Sequence, residues 1–167
     1  KELNKTFKTT VGNGKFYLYN HFGSTLADNL LSKIRYLAKA CSVDFVILDH
    51  LHMALSSIGD EHTNDERKLI DYTVSKLRTL VEETGIGLIL VSHLRRLEGN
   101  RDHTDGAVTS LAHLRGSHAL AQLSDTVIGF ERNQQSESES NIMYARVLKN
   151  RWLGDTGIAS QLIYNSE

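Results

Sequence analysis

Two short apolar runs held apart by a long amphipathic segment constrain this chain more than any other feature. Residues 45–48 (Phe-Val-Ile-Leu) show no polar alternation, and residues 86–91 (Ile-Gly-Leu-Ile-Leu-Val) repeat the pattern. Such runs are expected of strands covered on both faces, the usual state of a parallel sheet. Between them Leu69, Ile70, Val74, Leu77, Leu80 and Val81 recur at helical spacing, opened by Thr63 and Glu66 in capping-box spacing and closed by Gly85. Strand, helix, strand of these lengths is a crossover unit with parallel strands. Both strands finish in polar groups: Asp49 with His50 and His52 behind it, and Ser92 with His93. Ligands of open α/β sheets sit beyond the carboxyl ends of the strands, so one site shared by the two tips is the functional reading.

The flanking sequence extends this plan within one domain spanning residues 1–167. "FYLY" (16–19) is a strand candidate behind the turn signal Gly12-Asn13-Gly14. Ala27, Leu30, Leu31, Ile34, Leu37, Ala38 and Cys41 mark a helix that Thr25 and Asp28 can cap. Residues 94–110 are polar and read as a long surface loop. Residues 111–125 read as a helix, or two with a break near Gly116. "TVIGFER", "NIMYARVLK" and "IASQLIY" are three strand candidates, the first two joined by "NQQSESES", so the end is expected to be antiparallel.

A net charge of -1 excludes the global field with which strongly basic domains attract phosphates, so any nucleic-acid surface must be a local patch. Cys41 is the only cysteine, which rules out an intrachain disulfide and suits a reducing compartment. No apolar run approaches a membrane span, and the first ten residues lack the apolar core of a secretory signal. The chain does not start with methionine and is read as a piece of a longer protein.

His50 and His52 read first as a loop pair packing on neighbours. The sharper reading, a zinc or iron site with Asp49, lacks ligands from a second segment. A Mg²⁺ ion held by one carboxylate, waters and a nucleotide's phosphates needs only Asp49. "VGNGKF" is not a phosphate-binding loop: Thr9 stands where the motif's first glycine belongs, and Phe16 follows Lys15 in place of Ser or Thr. Arg151, past the strand that ends near Lys149, is either a solvated charge or an arginine able to reach a partner's phosphate with its planar fork. Arg95, Arg96 and Arg101 lie in the long loop, where Glu98, Asp102 and Asp105 offset them.

"FVILDH", "DERKLIDYTVSKLR", "LILVSHLRR", "LRGSHALAQLSDTVIGFERNQQ" and "VLKNRWLGDTGIA", in that order, resemble the helicase half of the helicase-primases of short-tailed phages, kin of the mitochondrial helicase Twinkle and of DnaB. The resemblance covers roughly residues 15–167. It implies an α/β fold with a RecA-like core: a mostly parallel sheet flanked by helices, with an antiparallel C-terminal portion and the N-terminal Walker A part missing. It also implies a ring, usually hexameric, that moves along single-stranded DNA at the expense of ATP or dTTP with Mg²⁺, in the cytoplasm and not at a membrane. A primase domain or polymerase is a further implied partner.

Residue by residue, the resemblance gives Asp49 the role of the Walker B carboxylate that holds Mg²⁺ through water, and His93 that of a sensor of the γ-phosphate. Arg151 matches the arginine finger that serves the neighbouring subunit, with Lys149 as its assistant. Arg132 and Tyr164 match positions that pack on the nucleotide base. Arg95, Arg96 and Arg101, and the turn with Arg115 and Gly116, match loops that face DNA in the ring's channel. His118 stands where the resemblance leads one to expect glycine. The family's phosphate-binding loop and catalytic glutamate lie upstream of the matched stretch, so these 167 residues alone are expected not to hydrolyse nucleotide although the parent protein does. Alternatives are a recombinase-like ATPase that coats DNA without unwinding it, a non-catalytic DNA-binding or assembly module, and, last, a histidine-carboxylate metal enzyme.

Overall fold

The computed structural model describes residues 2–19, 27–52, 63–97, 102–115 and 118–165, of residues 27 and 63–66 the backbone only. The crossover unit forms as its periodicity predicts. Helix α2 (Ala27–Ala40) leads to strand β1 (Phe45–Leu48), helix α3 (Thr63–Thr84) follows, and strand β2 (Gly87–Leu90) pairs parallel with β1, Phe45 opposite Gly87 and Leu48 opposite Leu90. Gly85 ends α3 at φ +74°, where its amide donates to the Val81 carbonyl at 2.8 Å, a conformation that side chains rarely adopt. Leu30, Leu31 and Ile34 of α2 bury against Leu77 and Leu80 of α3 and Ile86, with Val46, Leu48, Leu88 and Leu90 packed on the same cluster.

One expectation fails here. β1 and β2 are covered on one face only among the described residues, because α2 and α3 lie on the same side. Val46 and Leu48 face the helices, whereas Phe45 and Ile47 are 69% and 65% exposed, and Ile89 opposite Ile47 is also exposed. The absence of alternation in the sequence therefore describes a strand able to be covered twice, with one of its two faces uncovered among the described residues.

"FYLY" is a second correction. Residues 15–19 form no ladder among the described residues, and a strand exists only where a neighbouring strand accepts its hydrogen bonds. They line, with Leu30, Ile34 and all of β1, a cavity of about 890 Å³. The turn before them forms: Gly14 has φ +79° and the Lys15 amide donates to Asn13 Oδ1 at 2.9 Å. Ahead of it lies a helix that periodicity did not reveal, α1 (Glu2–Thr9), which buries no side chain. Thr25, expected to cap α2, lies outside the described residues.

The C-terminal half is a separate antiparallel sheet in the order β3 (Thr126–Glu131), β4 (Ile142–Asn150), β5 (Gly157–Ile163). Helix α4 (His118–Leu123), preceded by a 3-10 turn at Leu111–His113, brings the chain to it, with Leu120 buried against Leu51, Ile70 and Val74. No described strand joins the two sheets. Leu90 and Ser92 of one and Thr126–Phe130 of the other line opposite sides of a cavity of about 250 Å³.

Candidate active site

Asp49 and His93 lie just past the carboxyl ends of β1 and β2, and the backbone holds the two tips together: the Val91 amide donates to the Leu48 carbonyl at 3.0 Å and the Leu51 amide to the Val91 carbonyl at 3.1 Å. The Asp49–His50 peptide is cis. Exposure alternates through both tips, so Asp49 continues the open row of Phe45 and Ile47, and His93 that of Ile89 and Val91. Asp49 is exposed and lines the larger cavity, as do Lys15 and Lys33; His93 does not line it. Instead His93 stacks obliquely on His50, ring centroids 4.1 Å apart, with the buried His52 ring 6.4 Å from each. His50, read from sequence as a loop residue packing on neighbours, thus packs on the predicted sensor. Among the described residues no group of three or more His, Cys, Asp or Glu is placed to hold a metal ion.

The residues expected to face DNA grow from the same tip. The Arg115 amide donates to the His93 carbonyl at 3.1 Å, the Arg95 amide to the His113 carbonyl at 2.8 Å, and Leu94 bridges Leu114. Arg95 and Arg115 are therefore neighbours at the root of one structure, and the stretch after residue 93 is a zipped pair of segments where an open loop was expected. Arg96 is exposed beside them. Arg101 and Gly116 lie outside the described residues. His118 opens α4. The His113 imidazole is held below its ordinary pKa by burial, then by the nearby His103 and Arg95 charges.

The far part of this segment is stapled to the second sheet. Glu131 is 6% exposed and accepts from the Thr109 amide (2.7 Å), the Thr109 hydroxyl (2.8 Å) and both Nε and Nη2 of Arg146 (2.7 and 3.1 Å). Burial pushes the Glu131 carboxyl up, but the Arg146 and Thr109 donors outweigh it and hold the group below the usual carboxylate range. Gly129 is required here, since a Cβ would overlap the Thr109 side chain.

The remaining predicted residues divide between the two ends of the antiparallel sheet. At one end, Arg132 Nε donates to the Ser140 carbonyl and the Tyr164 amide to the Asn141 carbonyl at 2.9 Å, so both residues lie at the end of the sheet by the hairpin turn, Tyr164 70% exposed. At the other end, Lys149 Nζ donates to the carbonyls of Ala121 (2.7 Å), Gln122 (3.0 Å) and Ser124 (2.8 Å), closing the end of α4. Arg151 is exposed, with Nη2 donating to the Gln122 carbonyl at 2.8 Å and Nη1 3.0 Å from Asp125 Oδ1. The other Asp125 oxygen receives Arg78 of α3 at 2.6 Å. Sequence reasoning missed Asp125, Arg78, Glu131 and Arg146. For Asp125 a signal existed: it precedes β3 as Arg151 follows β4, and hairpin register puts the two opposite.

Comparison with known proteins fits this architecture. Residues 2–167 match the family described as "DnaB-like helicase C terminal domain". The DNA helicase/primase of Enterobacteria phage T3 is 41% identical over 156 residues, 93% of this chain and 27% of that protein. A probable plasmid replicative DNA helicase of Chlamydia trachomatis serovar L2 is 29% identical over 130 residues, 77% of this chain and 27% of that protein. The chain thus spans about a quarter of the length of these relatives. A solved DnaB-like replicative helicase, described with its interactions with primase, superposes with a TM-score of 0.64 at 23% identity over 89% of this chain and 36% of that one, which shows the shared fold. With a RecA-like α/β core and a match along nearly its whole length, the chain belongs to the family of DnaB-like helicase C-terminal domains.

Proposed function

We propose that this chain is the C-terminal part of a motor that couples nucleoside triphosphate hydrolysis to movement along single-stranded DNA and to duplex unwinding, working as a ring of identical subunits in which each protomer contributes to two nucleotide sites. The observation that carries this reading is the split between the ends of β4. Arg132 and Tyr164 gather at one end and Lys149 and Arg151 at the other, and nine residues of strand span roughly 27 Å at about 3.4 Å per residue. That separation suits an arginine that acts on a neighbour's nucleotide while Arg132 and Tyr164 pack on the protomer's own base, through guanidinium and aromatic stacking.

In this reading the exposed Asp49 carboxylate, on a rigid strand beside a large cavity, fits Mg²⁺, which takes one carboxylate and keeps its waters and the triphosphate oxygens. The ion supplies neutralisation of charge on the triphosphate. His93 donates one hydrogen bond to the terminal phosphate and loses it on hydrolysis, and that loss is felt through the His93 carbonyl by Arg115 and through the adjoining bridge by Arg95. The arginines hold DNA by its phosphates, giving salt-sensitive, sequence-tolerant binding. Arg151 offers positive charge in trans. The open face of β1 and β2 supports the view that catalysis needs more polypeptide than these 167 residues.

The test is strand displacement on a forked duplex by the full-length parent protein, with DNA-stimulated hydrolysis followed in parallel. Asp49→Asn is expected to abolish both. Hydrolysis with no strand displacement would support a recombinase-like ATPase, and hydrolysis unaffected by Asp49→Asn would refute the assignment.

A further inference from the structure

The structure assigns a positioning role to Asp125: held by Arg78 of α3, its carboxylate aims the Arg151 guanidinium. This rests on the proposal that Arg151 acts on a neighbouring protomer's nucleotide. Three observations carry it. First, the register of the β3–β4 hairpin makes the pair. Thr126 is opposite Asn150, and the next residue outward on each strand continues the ladder, the Arg151 amide donating to the Asp125 carbonyl at 2.9 Å. Two residues fixed through their own backbones can fix each other's side chains with little loss of freedom.

Second, the carboxylate is shared unequally. Arg78 approaches one oxygen at 2.6 Å and also reaches Glu82 one turn along α3 at 2.8 Å, whereas Arg151 sits at 3.0 Å from the other oxygen. Arg78 anchors Asp125 to the buried half of the molecule, through a helix that also carries the buried Leu77 and Leu80. Arg78 is shared between Glu82 and Asp125, so Asp125 is the one carboxylate paired with Arg151, whose exposed guanidinium still has N–H groups that can meet a phosphate. Third, Arg151 Nη2 donates to the Gln122 carbonyl at 2.8 Å while Nη1 faces Asp125 Oδ1 as an ion pair at 3.0 Å without hydrogen-bond geometry, so the guanidinium plane is held at one point by a hydrogen bond and at a second by charge. A planar fork held at two points is aimed, whereas a lysine-like point charge is not.

A residue that acts on the transition state through Arg151 changes kcat and leaves KM alone. In the full-length protein without DNA, Asp125→Asn is expected to lower kcat roughly ten- to a hundredfold, the scale of a misplaced catalytic group, with KM unchanged. Arg78→Gln, a change on a helix surface that leaves β3 and β4 intact, is expected to act in the same direction more weakly. The decisive readout is in trans. Asp125→Asn subunits keep a sound nucleotide site and offer a poorly aimed arginine; Asp49→Asn subunits do the reverse. Mixed rings of the two should hydrolyse several-fold faster than either alone, as should rings mixing Arg151→Ala with Asp49→Asn. Recovery in both mixtures supports the inference. Recovery only in the Arg151→Ala mixture, or wild-type kcat for both Asp125→Asn and Arg78→Gln, overturns it and leaves the trans-acting arginine standing. Recovery in neither mixture overturns the trans-acting arginine itself.

Discussion

The two halves of the molecule are held together by different forces. Every buried hydrophobic side chain among the described residues lies in or beside the crossover unit or in α4: Leu30, Leu31 and Ile34, then Leu51, Ile70, Val74, Leu77, Leu80 and Ile86, then Leu120. None belongs to β3, β4 or β5. The antiparallel sheet stands on its ladders and on polar staples, chiefly Glu131 with Thr109 and Arg146, and Lys149 with the end of α4. The difference teaches where each kind of function sits. The apolar half supplies a rigid support for Asp49 and His93, and the hydrogen-bonded half carries the long arginines and Lys149 at its ends.

That contrast is open to direct attack by substitution. Leu77→Ala, at a side chain 2% exposed, is expected to cost about 3 kcal/mol as burial and packing are lost, whereas Ile158→Ala in β5, 57% exposed, is expected to cost under about 0.5 kcal/mol. Urea denaturation of the two variants checks both; equal costs would erase the distinction. Glu131→Ala comes next, with an expected loss of roughly 2 kcal/mol for leaving buried donors on Thr109 unsatisfied. Its pH signature has a definite sign. Since the folded carboxyl titrates below its ordinary 4.5, its contribution is fully present above that value and is lost as pH falls below it. The acid sensitivity of the wild type as pH falls below 4.5 should flatten in Glu131→Ala.

Lys149→Met removes the ammonium and with it the closure of α4. Three donated hydrogen bonds vanish, for an expected destabilisation of about 1 kcal/mol, detected as faster amide exchange in α4 and at Ser124. The smallest effect expected is at His113. Its imidazole is depressed below 6.5 when folded, so the zipped segment keeps its full stability above about 6.5 and loses it as pH falls from there towards the folded value. Exchange of the Arg95 amide, which donates to the His113 carbonyl, should quicken as pH falls below 6.5, and His113→Gln should remove that dependence.

The same contrast explains what was legible in the sequence. Apolar periodicity reports burial, and it located α2, α3 and the parallel pairing of Phe45–Leu48 with Gly87–Leu90; short β-rich runs between turn signals located β3, β4 and β5. It overreached at Phe45 and Ile47, since a residue's capacity to be buried does not say which segment buries it. It found no α1, whose apolar side chains Leu3 and Phe7 are exposed, and it made a strand of residues 16–19, which join no ladder among the described residues. Polar staples left no trace, because Glu131, Arg146, Asp125 and Arg78 meet only when register and crossover bring them together from 15 to 47 residues apart. Strand pattern put Arg151 past the end of β4, and resemblance supplied only the roles expected of Arg132, Tyr164 and Arg151. The two histidines behind Asp49 were weighed as a pair, whereas the closest ring contact joins His50 to His93 across the strands.

In the proposed motor one protomer holds parts of two nucleotide sites, Asp49 for its own and Arg151 for its neighbour's. DNA-free nucleotide hydrolysis by full-length rings mixing Asp49→Asn with Arg151→Ala subunits tests it most directly. The mixture is predicted to be several-fold more active than either variant alone. A rate no higher than the weighted mean of the two would contradict the account.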